Sequence, residues 1–179
     1  MKETFNELVC YLKNPVSQKD ANTNNSYRFN KFLHLLVISI ITGIAITPLF
    51  ALIEHLNLVD QHAMEELMKT KSKWYIAIFA IVAAPLFEEL IFRAPITLLK
   101  EKSFKKGFYL FAIAFGLIHI TNFKISTNVI LLAPILVAPQ TILGGYLGFI
   151  RVRFGLQWSI LLHASYNAFF VLLSFAVDL

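Results

Sequence analysis

Residues 32 to 53, FLHLLVISIITGIAITPLFALI, carry no formally charged side chain over 22 positions. At ~1.5 Å per helical residue that length crosses a hydrocarbon core of ~30 Å. Lipid offers no partner for backbone N–H and C=O groups, so such a run satisfies them internally by folding as a transmembrane helix. Further apolar runs cover 74 to 99, 107 to 123, 125 to 150 and 154 to 177. The 107 to 123 run is close to the lower length limit, and a short or re-entrant helix is expected there. Pro48, Pro85, Pro95, Pro134 and Pro139 fall inside these runs, where kinks or breaks are expected. The expected fold is all-α, a polytopic transmembrane bundle of about five spans with interfacial or re-entrant helices.

Composition supports this reading: 57% of the 179 residues are hydrophobic and 15% charged, far from a soluble globular domain. The single cysteine, Cys10, excludes an intrachain disulfide and a thiolate metal cluster. The net charge of +5 comes from basic residues lying between the apolar runs. That distribution suits anionic lipid headgroups, so membrane lipids are the expected partner and nucleic acid is not. Met1 to Lys31 is polar and Asn-rich, without the apolar core of a cleaved leader. Two regions are expected: a cytoplasmic N-terminal segment, 1–31, and a transmembrane domain, 32–179. The connector from Glu54 to Lys73 holds His55, His62, Glu65 and Glu66, but no H-E-x-x-H pattern, and reads as an amphipathic surface helix. Segments alternating across the membrane place 11 basic residues on the N-terminal side and 4 on the other, so the N-terminus is expected inside a bacterial cell membrane.

The costliest stretch to bury is IVAAPLFEELIFRAPIT, residues 81 to 97, which sets Glu88, Glu89 and Arg93 in an otherwise apolar helix. An ionisable side chain at mid-bilayer costs roughly 2.5 to 3.5 kcal/mol even on the gentler insertion scales, so function is the default reading. Glu89 and Arg93 are i,i+4 neighbours able to pair, while Glu88 points about 100° away and has no local cation. Glu88 is therefore the candidate general base or acid.

Two later runs carry imidazoles at depth. His119 lies in the third, and His163 lies in the fifth with Asn167 one turn on. Counting from the nearest basic residue on the N-terminal side, Glu88, His119 and His163 lie ~18, ~20 and ~15 Å deep. Three polar groups in one layer point to a shared site. In the fourth run, Gly144 and Gly148 have the small-xxx-small spacing of close helix packing, and Gln140 is placed to hydrogen-bond across the bundle. A carboxylate and two imidazoles suit hydrolysis, the acid taking a proton from water and a histidine orienting it, with a second histidine and an amide available to an oxyanion. The aspartates, Asp20, Asp60 and Asp178, lie outside the spans, and no G-x-S-x-G elbow occurs.

Glu88, Glu89 and Arg93 form E-E-x-x-x-R, Phe115 and His119 form F-x-x-x-H, and His163 and Asn167 form H-x-x-x-N, in that order on successive helices. In this the chain resembles the CAAX protease and bacteriocin-processing (CPBP, or Abi) intramembrane proteases from about Trp74 to the C-terminus. The resemblance implies an endopeptidase acting on membrane-associated protein or peptide substrates. It assigns Glu88 and His119 to water activation, His163 and Asn167 to the oxyanion site, and Glu89 with Arg93 to a structural pair. The cofactor is open: none, or a divalent metal such as zinc, for which Glu88, His119 and His163 would be the His₂Glu ligands. Two other classes stay in view. A non-catalytic immunity or scaffold protein would keep its phenotype without Glu88 or His119, and a small proton-coupled carrier would show pH-driven flux in liposomes.

Overall fold

The computed structural model describes residues 1–60 and 63–177, and His62 and Asp178 of the sequence reading lie outside them. Among the described residues the regular structure is helical: α1 (Lys2–Lys13), α2 (Asn25–His55), α3 (Ala63–Thr70), α4 (Lys73–Ala77), α5 (Ala84–Phe92), α6 (Glu101–Ile118), α7 (Thr127–Leu136), α8 (Ala138–Phe154) and α9 (Leu156–Val177). A π-helical segment, Ile78–Ala83, joins α4 to α5, and 3₁₀ turns cover Pro95–Leu98 and His119–Asn122. By length and composition five stretches are able to cross a membrane: Asn25–His55, Lys73–Leu98, Glu101–Asn122, Thr127–Phe154 and Leu156–Val177. The outward face is apolar, with Trp74, Leu98 and Leu131 among its most exposed side chains. That is the surface of a protein solvated by lipid.

One boundary differs from the sequence reading. The third span starts at Glu101, not Gly107, because Lys102, Lys105 and Lys106 extend the helix while carrying their ammonium groups outward. Glu101 also favours a helix start by meeting the positive end of its dipole. The span reaches Asn122 and is not short. The fourth run breaks at Val137 into α7 and α8, with Pro139 near the start of α8, where its missing N–H leaves no bond unmade. Pro48, by contrast, lies inside an α2 that continues past it.

The N-terminal segment is tied into the bundle. Leu8 and Tyr11 of α1 join the main core with Phe108, Phe149 and Ile150. The Tyr109 hydroxyl donates to the Leu12 carbonyl at 2.7 Å, and Thr4 meets His34 Nδ1 at 3.0 Å. Arg153 pairs with Glu7 at 3.1 Å and with Asp20 at 2.9 Å. Burial pushes the Tyr11 phenol above its ordinary range, so it stays a neutral donor to the Val16 carbonyl at 2.8 Å.

Among the described helices the α6/α8 contact is the most extensive, and small residues permit its close approach. A Cβ on Gly144 would stand 3.1 Å from the Ala112 carbonyl oxygen, and one on Gly148 would stand 2.7 Å from Phe108 Cε2. Gly148→Leu is expected to cost about 1–3 kcal/mol by overpacking. Thermal unfolding in detergent checks this, an unchanged midpoint being the contrary result. After α8 the chain reverses at Gly155, whose φ of 114° disfavours any side chain, and α9 returns beside it.

Candidate active site

Pro85 shapes the site before any charged group does. Without an N–H it cannot complete a helical ladder, and the turn ahead of it widens to the π register, with the Ala84 N–H donating to the Phe79 carbonyl five residues back. In an α-helical register Pro85 would orphan the Ile81 carbonyl four residues back, whereas the π register orphans that of Ala80, five back. Asn167 of α9 takes up that carbonyl through Nδ2 at 2.8 Å. One carboxamide N–H is thereby spent on architecture and the other remains. The same bond docks α9 onto the second span beside Glu88.

Glu88 on α5, His119 at the end of α6, and His163 and Asn167 on α9 line one cavity of about 550 Å³. Glu88 Oε2 stands 3.7 Å from His163 Nε2 and 4.0 Å from His119 Nε2. Both separations exceed a hydrogen bond and suit groups sharing a small molecule between them. Each imidazole is anchored from behind. His119 Nδ1 donates to the Phe115 carbonyl at 2.7 Å, and His163 Nδ1 donates to Glu89 Oε1 at 3.1 Å. A carbonyl and a carboxylate only accept, so both Nδ1 atoms carry the proton and both Nε2 atoms turn toward Glu88. In the neutral rings those two Nε2 atoms are acceptors facing an acceptor-only carboxylate. A donor such as water, or an added proton, reconciles the three.

Beneath this layer lies a second, dry one. Glu89 and Arg93 are both fully buried and 3.7 Å apart, and the Arg93 guanidinium lies 4.0 Å from the centroid of Phe115. The Phe115 ring also meets His119 and His163 edge-on at 4.9 and 5.5 Å. Phe115 therefore packs against both histidines and the buried cation at once. Sequence reasoning missed Ser159, whose hydroxyl hydrogen-bonds to Glu89 Oε2. Its i,i+4 spacing to His163 on a membrane helix was the available signal. Arg151 was also missed: its guanidinium donates to the Arg93 carbonyl at 3.0 Å and to Thr97 Oγ1 at 2.9 Å, closing the frayed end of α5.

Glu88, His119 and His163 have the chemistry of a His₂Glu zinc set, but not the spacing. Donors at ~2.0–2.1 Å from a tetrahedral zinc lie ~3.4 Å apart, closer than the 3.7 and 4.0 Å found here. Among the described residues no three His, Cys, Asp or Glu are gathered as metal ligands.

Helices able to cross a membrane, folded around a cavity lined by a carboxylate and two oriented imidazoles, define a membrane-embedded protein. A family model described as Rce1-like, type II CAAX prenyl endopeptidase, matches residues 70–169, and the chain belongs to that family of CAAX-type intramembrane proteases. The matched stretch includes all of the E-E-x-x-x-R, F-x-x-x-H and H-x-x-x-N residues. Comparison with curated proteins gives no match, and comparison with solved structures gives none either.

Proposed function

We propose that the chain is an endopeptidase that hydrolyses peptide bonds of membrane-associated proteins or peptides with a water activated by Glu88. The observation that carries this reading is the back-anchoring of both histidines, which turns two Nε2 atoms onto one carboxylate. A water between Glu88 and His119 Nε2 donates one hydrogen to each, leaving an oxygen lone pair for the substrate carbonyl. Attack forms the C–O bond as the water proton moves to Glu88. The oxyanion is received by the remaining N–H of Asn167 and by His163, whose Nε2 donates in its imidazolium form with Glu89 balancing the charge behind it. Collapse breaks the C–N bond, and the proton on Glu88 passes to the leaving amine.

The 11 basic residues at the N-terminal end against 4 at the other support a cytoplasmic N-terminus. His119→Ala tests the reading, because it removes one holder of the water and leaves Glu88 in place. The purified variant is expected to cleave quenched fluorogenic peptides at least ~100-fold more slowly than wild type. Wild-type turnover by that variant would remove His119 from the mechanism.

A further inference from the structure

Gln140 lies in the first turn of α8 and lines the same cavity as Glu88, His119, His163 and Asn167. It does not hydrogen-bond across the bundle: its buried Oε1 has no partner within the chain. The other buried polar atoms left without a partner belong to Arg93 and Arg153, and neither residue lines the cavity. Three other polar side chains of the wall already donate within the protein. Asn167 already donates to the Ala80 carbonyl, and the Ser174 and Thr121 hydroxyls donate to their own helix at Val171 and Ile118. Among the described residues Gln140 Oε1 is thus the one fully enclosed side-chain oxygen of the cavity's lining residues left without a hydrogen-bond partner, on the wall that α8 contributes.

A peptide entering a cavity at this depth leaves water behind, and each of its N–H and C=O groups then needs a new partner. A carboxamide offers one acceptor beside a donor pair, the complement of a peptide unit. We infer that Gln140 is a substrate-binding residue: its carboxamide turns into the cavity so that Oε1, enclosed in the free protein, accepts a backbone N–H of the bound peptide near the scissile bond while Nε2 donates to a neighbouring carbonyl. The inference rests on the endopeptidase reading above and adds to it the group that holds the substrate's main chain. Such a contact is made to substrate and transition state alike. Its loss therefore appears in KM and not in kcat.

The test compares wild type with Gln140→Met, an apolar side chain of similar length, on a library of quenched fluorogenic peptides, prenylated and unprenylated, in detergent micelles. A peptide that wild type cleaves is then remade with single amide N–H groups replaced by ester oxygen. Gln140→Met is expected to raise KM about tenfold with kcat within about twofold, and to unfold at the wild-type temperature or above it. One ester position is expected to cost wild type about tenfold in KM and to cost Gln140→Met nothing further. An unchanged KM, an equal ester penalty in both proteins, or a lowered unfolding temperature with KM intact would overturn the role of Gln140 while leaving the protease reading in place. Failure of wild type to cleave any peptide in the library would overturn both.

Discussion

Glu88→Gln is expected to lower kcat/KM by about 10³-fold while leaving the protein folded, because it removes the proposed base and nothing that holds the helices together. The side chain is 26% exposed, to the cavity, and the imidazoles of His163 and His119 stand 3.7 and 4.0 Å away, beyond hydrogen-bond distance. Gln keeps its size and hydrogen-bonding reach but cannot accept a proton from water. Thermal unfolding should stay within about 2 °C of wild type. Steady-state kinetics on a cleaved peptide, run beside that unfolding scan, separate the two effects. Full activity in the variant would move the base elsewhere.

Arg93→Met is expected to act the opposite way, through stability first. Glu89 is fully buried, and Arg93 is the cation beside it at 3.7 Å. Removing one member of a buried pair leaves an uncompensated charge, at a cost of about 3–5 kcal/mol. For a domain of this size that corresponds to an unfolding temperature lower by about 10 °C or more. The loss of the guanidinium from the face of Phe115 at 4.0 Å adds to it. Replacing Glu89 and Arg93 together by Met is expected to restore part of the stability, since no buried charge is then left alone. Activity is not expected to return with it, because Glu89 also holds His163 Nδ1 at 3.1 Å. A single variant as stable as wild type would contradict the account of the pair.

Much of the architecture is visible in one-dimensional pattern. Span positions follow from uncharged length, and the i,i+4 spacing of Glu89 and Arg93 is enough to put them on one helix face. Depth counts for Glu88, His119 and His163 that agree within about one helical turn are likewise a property of spacing alone. What the pattern hides depends on register and on partners from other helices. The start of α6 is hidden because lysines look like a turn until their snorkelling is considered. The π segment is hidden because Pro85 in an α-helical register points to the Ile81 carbonyl, and only α9 supplies Asn167 to answer Ala80. Ser159 is hidden because a serine in a membrane helix ordinarily bonds its own backbone, and its bond to Glu89 exists only once the second and fifth spans are side by side. The docking of α1 is hidden because a polar, Asn-rich segment carries its anchors, Leu8 and Tyr11, singly.

Intramembrane proteolysis by this carboxylate is tested most directly in membranes. Peptide fragments from cells expressing wild type or Glu88→Gln, at matched protein levels, are compared by mass spectrometry. The account predicts a set of membrane-protein fragments present with wild type and missing with Glu88→Gln. The same fragments in both would contradict it.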